Sequence, residues 1–226
     1  LRIGVKHMKA IEEQDFSIVA LDNFIRATRD AGYKDTASAV AELVDNSLQA
    51  GATEIAIKFD VEDHDRHPIT VTVIDNGCGM DSLTLRTALR FGGTTRFNDR
   101  EGLGRYGMGL PNSSLSQAQR VTVHTWDSCH GDVLHSYLDL DEIASGLLTE
   151  VPKPSPVQRP SFVNGHHSGT AVTWNRCDRL DNRRISTISR KLLVSLGRRF
   201  RYFLWDGATI TVNGDPVDPK IGRAHV

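Results

Sequence analysis

The sequence predicts an α+β fold, and three observations carry that prediction. Residues 35–50 place apolar side chains at helical spacing, and a second long helical pattern returns at 184–204. Residues 53–59 and 69–74 alternate with β-branched enrichment, as two adjacent strands do. A long segment between 75 and 109, dense in Gly and polar residues, separates these elements from the next helix and strands. Loops of that length inside a compact fold usually serve function.

Taken in order, residues 15–31 read as an amphipathic helix with Phe16, Val19, Ala20, Phe24 and Ala27 near a 3.6 period. The helix 35–50 opens on the capping residues Asp35 and Thr36, carries Ala37, Val40, Ala41, Val44 and Leu48 inward, and stops at Gly51. The polar stretch 62–68 is a hairpin connection between the two strands. A short helix is expected at 82–90 and another at 110–118, followed by strands at 120–126 and 134–140. Residues 151–160 hold four of the eight prolines and are expected to be an exposed loop. A short strand at 171–174, the helix 184–204 with Ile185, Ile188, Leu192, Leu196 and Phe200 on one face, and a strand at 208–212 ending in the turn Asn213-Gly214-Asp215-Pro216 complete the chain.

Bulk properties exclude several classes. The chain has 226 residues, 39% hydrophobic and 24% charged, a balance ordinary for a globular protein. Lys and Arg number 27 against 28 Asp and Glu, so no global field recruits nucleic acid or an anionic membrane. Cys78, Cys129 and Cys177 are odd in number and widely spaced, which suggests neither a disulfide framework nor a zinc site and fits a reducing, cytoplasmic compartment. No apolar run reaches the roughly 18 residues of a membrane helix, so no membrane partner is expected. The chain starts at Leu1 and is expected to be the amino-terminal part of a longer protein.

Four segments carry chemistry. In AVAELVDNSLQAGA, Glu42, Asp45, Asn46 and Gln49 stand at i, i+3, i+4 and i+7 and make one polar stripe on a helix otherwise apolar. Asn is a poor helix former, so its place in the interior calls for a reason other than propensity. In VTVIDNGCGMD a strand ends in Asp75, followed by Gly77 and Gly79, which let the chain turn sharply against a ligand. Alone, the segment reads first as a simple D-N-G turn; as a ligand site, an ionised carboxylate there accepts hydrogen bonds such as the exocyclic amino group of adenine donates, each worth about 1.5–3 kcal/mol.

The third segment, FGGTTRFNDREGLGRYGMGLPNSS, holds six glycines and runs into a helix, which makes an anion cradle suited to a polyphosphate. Gly102, Gly104 and Gly107 also match a dinucleotide fingerprint with Asp127 near the ribose offset, but the polar residues before Gly102 cannot supply the apolar strand that site needs. The fourth, SGTAVTW, begins a strand at Gly169-Thr170 and says little alone.

In this order and spacing the four segments resemble the GHKL ATPases over residues 36–174. The details ELVDNSLQAGATEIAI, DNGCGM and FGGTTRF are most similar to the MutL and MORC branches. The resemblance implies the Bergerat fold, a two-layer sandwich with a mixed, mostly antiparallel sheet backed by helices, and a single ATP-binding domain over residues 1–226. It implies Glu42 as the general base of ATP hydrolysis and Asn46 as the magnesium ligand. It further implies Asp75 on adenine, Gly77, Gly79 and Met80 around the base, and Thr170 assisting through a water. Thr95 and Arg96 would line the nucleotide, with Gly104, Arg105, Tyr106, Gly107, Met108, Gly109 and Leu110 forming a lid over the phosphates.

Two residues depart from the family pattern. Gln49 stands where an Asp is common, and Arg96 where a Lys is common, which keeps the charge and alters its geometry. ATP and Mg2+ are the expected ligands, and a nucleotide-dependent homodimer the expected assembly. The competing classes are a nucleotide-binding module without turnover and a histidine-kinase-type phosphotransferase. Nucleic acid would be reached through accessory regions. The basic helix with Arg183, Arg184, Arg190, Lys191, Arg198, Arg199 and Arg201 could contact nucleic acid but reads first as a solvated face, and His166 and His167 read as surface residues.

Overall fold

A computed structural model describes residues 21–61, 67–93, 108–127, 132–161 and 165–221. In chain order these form α1 (Leu21–Ala31), α2 (Thr36–Gln49), β1 (Glu54–Val61), β2 (Ile69–Asp75), α3 (Ser82–Leu89), α4 (Gly109–Leu115), β3 (Arg120–Trp126), β4 (Val133–Asp139), α5 (Leu140–Ala144), β5 (Ser155–Val157), β6 (Gly169–Asn175), α6 (Ile185–Arg199), α7 (Arg201–Trp205), β7 (Thr209–Val212) and β8 (Asp215–Pro216). The strands make one sheet in the order β5-β4-β3-β6-β2-β1-β7-β8. Every neighbouring pair is antiparallel except β1 with β7. The expected mixed, mostly antiparallel sheet backed by helices is therefore the architecture observed.

The period-2 rule explains how the sheet meets the helices. Ile55, Ile57 and Phe59 of β1 stand opposite Asp75, Val73 and Val71 of β2, and Val73 and Val71 in turn stand opposite Val172 and Trp174 of β6. Val121 and Val123 of β3 and Ile210 and Val212 of β7 extend the same layer, and all of these apolar side chains are buried. Ala39, Val40, Leu43 and Val44 of α2 pack into this core. Removing each of the larger ones from water is worth about 1.5–3 kcal/mol. Asp75 shares the helix-facing register with Val73 and Val71, so its carboxylate points into the layer of helices.

The helix α2 is bounded as the sequence implies. Asp35 accepts from the Ser38 amide at 2.7 Å at the N-cap, and Gly51 follows with φ +76°. Other elements differ from expectation. In α1 the inward residue is Ile25, while Phe24 is 39% exposed and meets Phe91 edge-on. Arg29, one turn after Ile25, fixes this rotation by pairing with Asp178 and donating to the Leu115 carbonyl at 2.6 Å. Residues 15–20 of the expected helix lie outside the described residues.

The helix expected at 184–204 is two helices, because Phe200 leaves helical geometry (φ −103°, ψ 16°) to bury its ring. The five-residue α5, capped by the Asp139 carboxylate on the amides of Asp141 and Glu142, is too short to show a period. The proline-rich stretch contributes the edge strand β5, with Pro156 opposite Leu134. At the other edge, Asn213 and Gly214 both take positive φ, which makes the turn that folds β8 with Pro216 back onto β7.

On the face of the sheet away from the helices, His124 of β3 and His135 of β4 are cross-strand partners with ring centroids 5.2 Å apart. Burial, then the neighbouring His135, pushes His124 down to about 4; burial and Arg120 push His135 down as well. The unfolded chain therefore takes up these protons first as pH falls. The stability His124 contributes is complete above about pH 6.5 and is lost on descending through about 4, and His135 acts in the same direction. The thermal midpoint of the chain should fall across that window, and less steeply in His124→Val, as calorimetric scans at several pH values will show. Equal slopes would remove His124 from the account.

Candidate nucleotide site

The site is organised by α2. Ser47 donates to Asp75 Oδ2 at 2.8 Å, while the amides of Gly77 and Thr170 donate to Oδ1 at 2.9 and 3.2 Å. Asp75 is 6% exposed. Burial pushes its carboxyl above the ordinary value, opposed by those three donors and by the charge of His166. A carboxylate has about four lone-pair positions. Three are filled, so Oδ2 retains one acceptor position.

The turn after Asp75 is tied down on both sides. Asn76 Oδ1 accepts from the amides of Thr53 and Glu54, each at 2.9 Å, and the Cys78 amide donates to the Ala50 carbonyl at 3.0 Å. Gly79 has φ +73°, and a Cβ there would collide with the Trp126 carbonyl, so no other residue lets the chain lie so close to the end of β3. The Met80 amide then donates to Thr125 Oγ1 at 2.8 Å, and that hydroxyl donates to the Gly169 carbonyl at 3.1 Å. Asp75, Gly77, Gly79, Met80 and Thr170 thus form one cluster.

Glu42 and Asn46 lie one turn apart on α2, on the same side of the helix. Tyr33 donates to Glu42 Oε2 at 3.0 Å. The backbone of Gly109 lies against Oε1, where a Cβ would collide. Asn46 is half-buried, and its side-chain amide has no hydrogen-bond partner among the described residues. Ser47, next to Asn46, is the residue that grips Asp75, so α2 links the two carboxylates.

Met108 precedes α4, and Gly109 and Leu110 already belong to its first turn. Thr95, Arg96, Gly104, Arg105, Tyr106 and Gly107 lie outside the described residues. Asp45, read as part of the polar stripe, instead pairs with Arg199 of α6, and Gln49 is exposed. Lys191 of the basic helix pairs with Asp181 at 2.9 Å. A cavity of about 740 Å³, lined among others by Phe24, Leu83, Phe91 and Leu148, contains none of the proposed nucleotide contacts.

Sequence reasoning missed Ser47, Tyr33 and Thr125. A hydroxyl at Ser47, one residue past Asn46, was a weak signal, since that position faces the strand end. The others join the site through contacts 45 or more residues away, or through a connecting segment, and left no local mark.

Residues 33–170 match the family model described as histidine kinase-, DNA gyrase B-, and HSP90-like ATPase. The chain belongs to that family. Among GHKL relatives, the DNA mismatch repair protein MutL of Anaeromyxobacter sp. (strain K) is 36% identical over 125 residues, 55% of this chain and 19% of the relative. MutL of Halobacterium salinarum (strain ATCC 29341 / DSM 671 / R1) is 39% identical over 121 residues, 51% of this chain and 18% of the relative. ATPase MORC2B of Mus musculus is 35% identical over 78 residues, 34% of this chain and 8% of the relative. The alignments thus span less than a fifth of the length of these relatives. The ATPase and transducer domains of DNA topoisomerase II from Balamuthia mandrillaris share the fold, with a TM-score of 0.54 and 16% identity over 80% of this chain and 48% of that one. Among the described residues, no helix is long and apolar enough to cross a membrane.

Proposed function

We propose that this GHKL domain binds ATP with magnesium and hydrolyses it to ADP and phosphate, and that the cycle drives lid closure and dimerisation of a longer protein. The observation that carries the reading is that one helix presents Glu42 and Asn46 on a shared side and holds buried Asp75 through Ser47. The residues fit the ligands. Oδ2 of Asp75 keeps one acceptor position for the adenine amino group, and Asn46 offers a hard, uncommitted oxygen of the kind magnesium takes. Bound there with the phosphates, the ion would neutralise their charge.

Glu42 supplies the chemistry. Its carboxylate takes a proton from water as the water oxygen bonds to the γ-phosphorus and the bond to the β–γ bridging oxygen breaks. Thr170 and Met80 would flank the adenine, and Met108, Gly109 and Leu110 are the described residues of the segment that the resemblance assigns to the phosphates. Lid and dimer roles rest on the family resemblance. A histidine-kinase outcome would place the phosphoryl group on protein; the Glu42 carboxylate favours water.

Calorimetry and phosphate release test the reading. ATP should bind more tightly than GTP, whose carbonyl would meet Asp75 with two acceptors face to face, by about 10–100-fold, the worth of a charged hydrogen bond. Chelating magnesium should stop phosphate release. Equal binding of GTP and ATP, or release indifferent to chelation, would refute it.

A further inference from the structure

Glu42 is held from two directions, and both holds trace to α4. On one side Gly109, the first residue of α4, lies against Oε1. On the other, Tyr33 in the α1–α2 connection donates to Oε2 at 3.0 Å. Tyr33 is itself fixed through its backbone. Gln117, two residues past the end of α4, donates through Nε2 to the Tyr33 carbonyl at 2.9 Å. The Gln117 Oε1 accepts from Thr36 Oγ1 at 3.0 Å, and Thr36 Oγ1 accepts from the Asp181 amide at 3.2 Å. Gln117 is 1% exposed and Thr36 is fully buried.

We infer that Tyr33 is a positioning residue for Glu42, and that Gln117 couples its placement to α4, so that the helix closing the glycine segment sets the aim of the general base. The inference rests on the reading of Glu42 as that base. A phenol donor on one oxygen and a backbone wall on the other fix the plane of the carboxylate and leave little rotation about its last torsion. Because Gln117 is buried with both ends of its amide bonded, it is costly to displace, and a movement of α4 carries Tyr33 and Gly109 together. The titratable and charged groups acting on Tyr33 are Glu42 and Asp45 of α2 and Arg199 of α6. Burial, then Glu42, pushes the phenol up to about 12, so it remains a donor at any pH at which the protein works.

The alternative is a purely structural role, in which loss of the hydroxyl would weaken the α1–α2 connection and nucleotide binding together. Tyr33→Phe separates the two. Single-turnover phosphate release at saturating Mg-ATP should slow by about 10–100-fold, the worth of one hydrogen bond to a charged group, with ATP affinity by calorimetry unchanged. Thr36→Val, which unties Gln117 and leaves the phenol in place, should also slow release, and the double variant should be no slower than Tyr33→Phe. Parental turnover in Tyr33→Phe beside an inactive Glu42→Gln overturns the inference, as does an equal loss of affinity and rate. Additive effects in the double variant overturn the link to α4. Parental turnover in Glu42→Gln instead sinks the general-base reading beneath it.

Discussion

Glu42→Gln should lower the rate of phosphate release by about 10²–10⁴-fold, the usual contribution of a general base, while ATP binds as before. The substitution is nearly isosteric, and its amide oxygen can still accept from Tyr33, so the carboxylate's place between Tyr33 and Gly109 is kept and only its basicity is lost. Radiolabelled ATP followed through a single turnover measures the loss directly. Because the proposed cycle closes on ATP and reopens after hydrolysis, the variant should also accumulate the ATP-bound dimer, seen by light scattering as a doubled mass on adding Mg-ATP. Parental release from Glu42→Gln would assign the base elsewhere.

Asp75→Asn should act on binding. Oδ1 must remain an acceptor for the Gly77 and Thr170 amides, so the new amino group takes the place of Oδ2. Ser47 tolerates this, since its hydroxyl lies 3.1 Å from the Leu43 carbonyl and can donate there while accepting from the amide. The fold survives, but adenine's amino group now faces another donor. ATP affinity should fall by about 10–100-fold.

Stability should move the other way. The Asp75 carboxyl is raised above its ordinary 3.8, so the stability it contributes is present below that value and is lost as pH rises through its raised value. At neutral pH the buried charge is a cost that Asn removes, and the thermal midpoint should hold or rise. A protein that keeps its ATP affinity in this variant has no adenine contact at Asp75.

The elements legible in the sequence are those whose signals are local. α2 is announced by the Asp35 cap and the Gly51 stop, and β2 by an alternation that ends on Asp75. The candidate residues Glu42, Asn46 and Asp75 could be picked out because each stands at a marked place in an element.

What was hidden depends on distant partners. Asp45 has the same spacing as its neighbours on the polar stripe, yet Arg199, 154 residues away, draws it into an ion pair with α6. Tyr33 lies in a connection without periodicity, and Gln117 beyond the end of a helix; their bond joins residues 84 apart. α1 misled for a related reason: its tidy apolar period counts Phe24, but Ile25 is the buried residue, on the helix side where Arg29 forms its half-buried pair with Asp178.

The prolines at the two rims of the sheet bear on how copies of this domain could meet. β5 is three residues long with Pro156 at its centre, and β8 is two residues long and ends in Pro216. Among the described residues, neither margin offers the run of free amide hydrogens that another chain would need to stitch itself on as an additional strand. The nucleotide-dependent association proposed above would thereby be steered to helices and loops, surfaces that can be reshaped each time a phosphate arrives or departs.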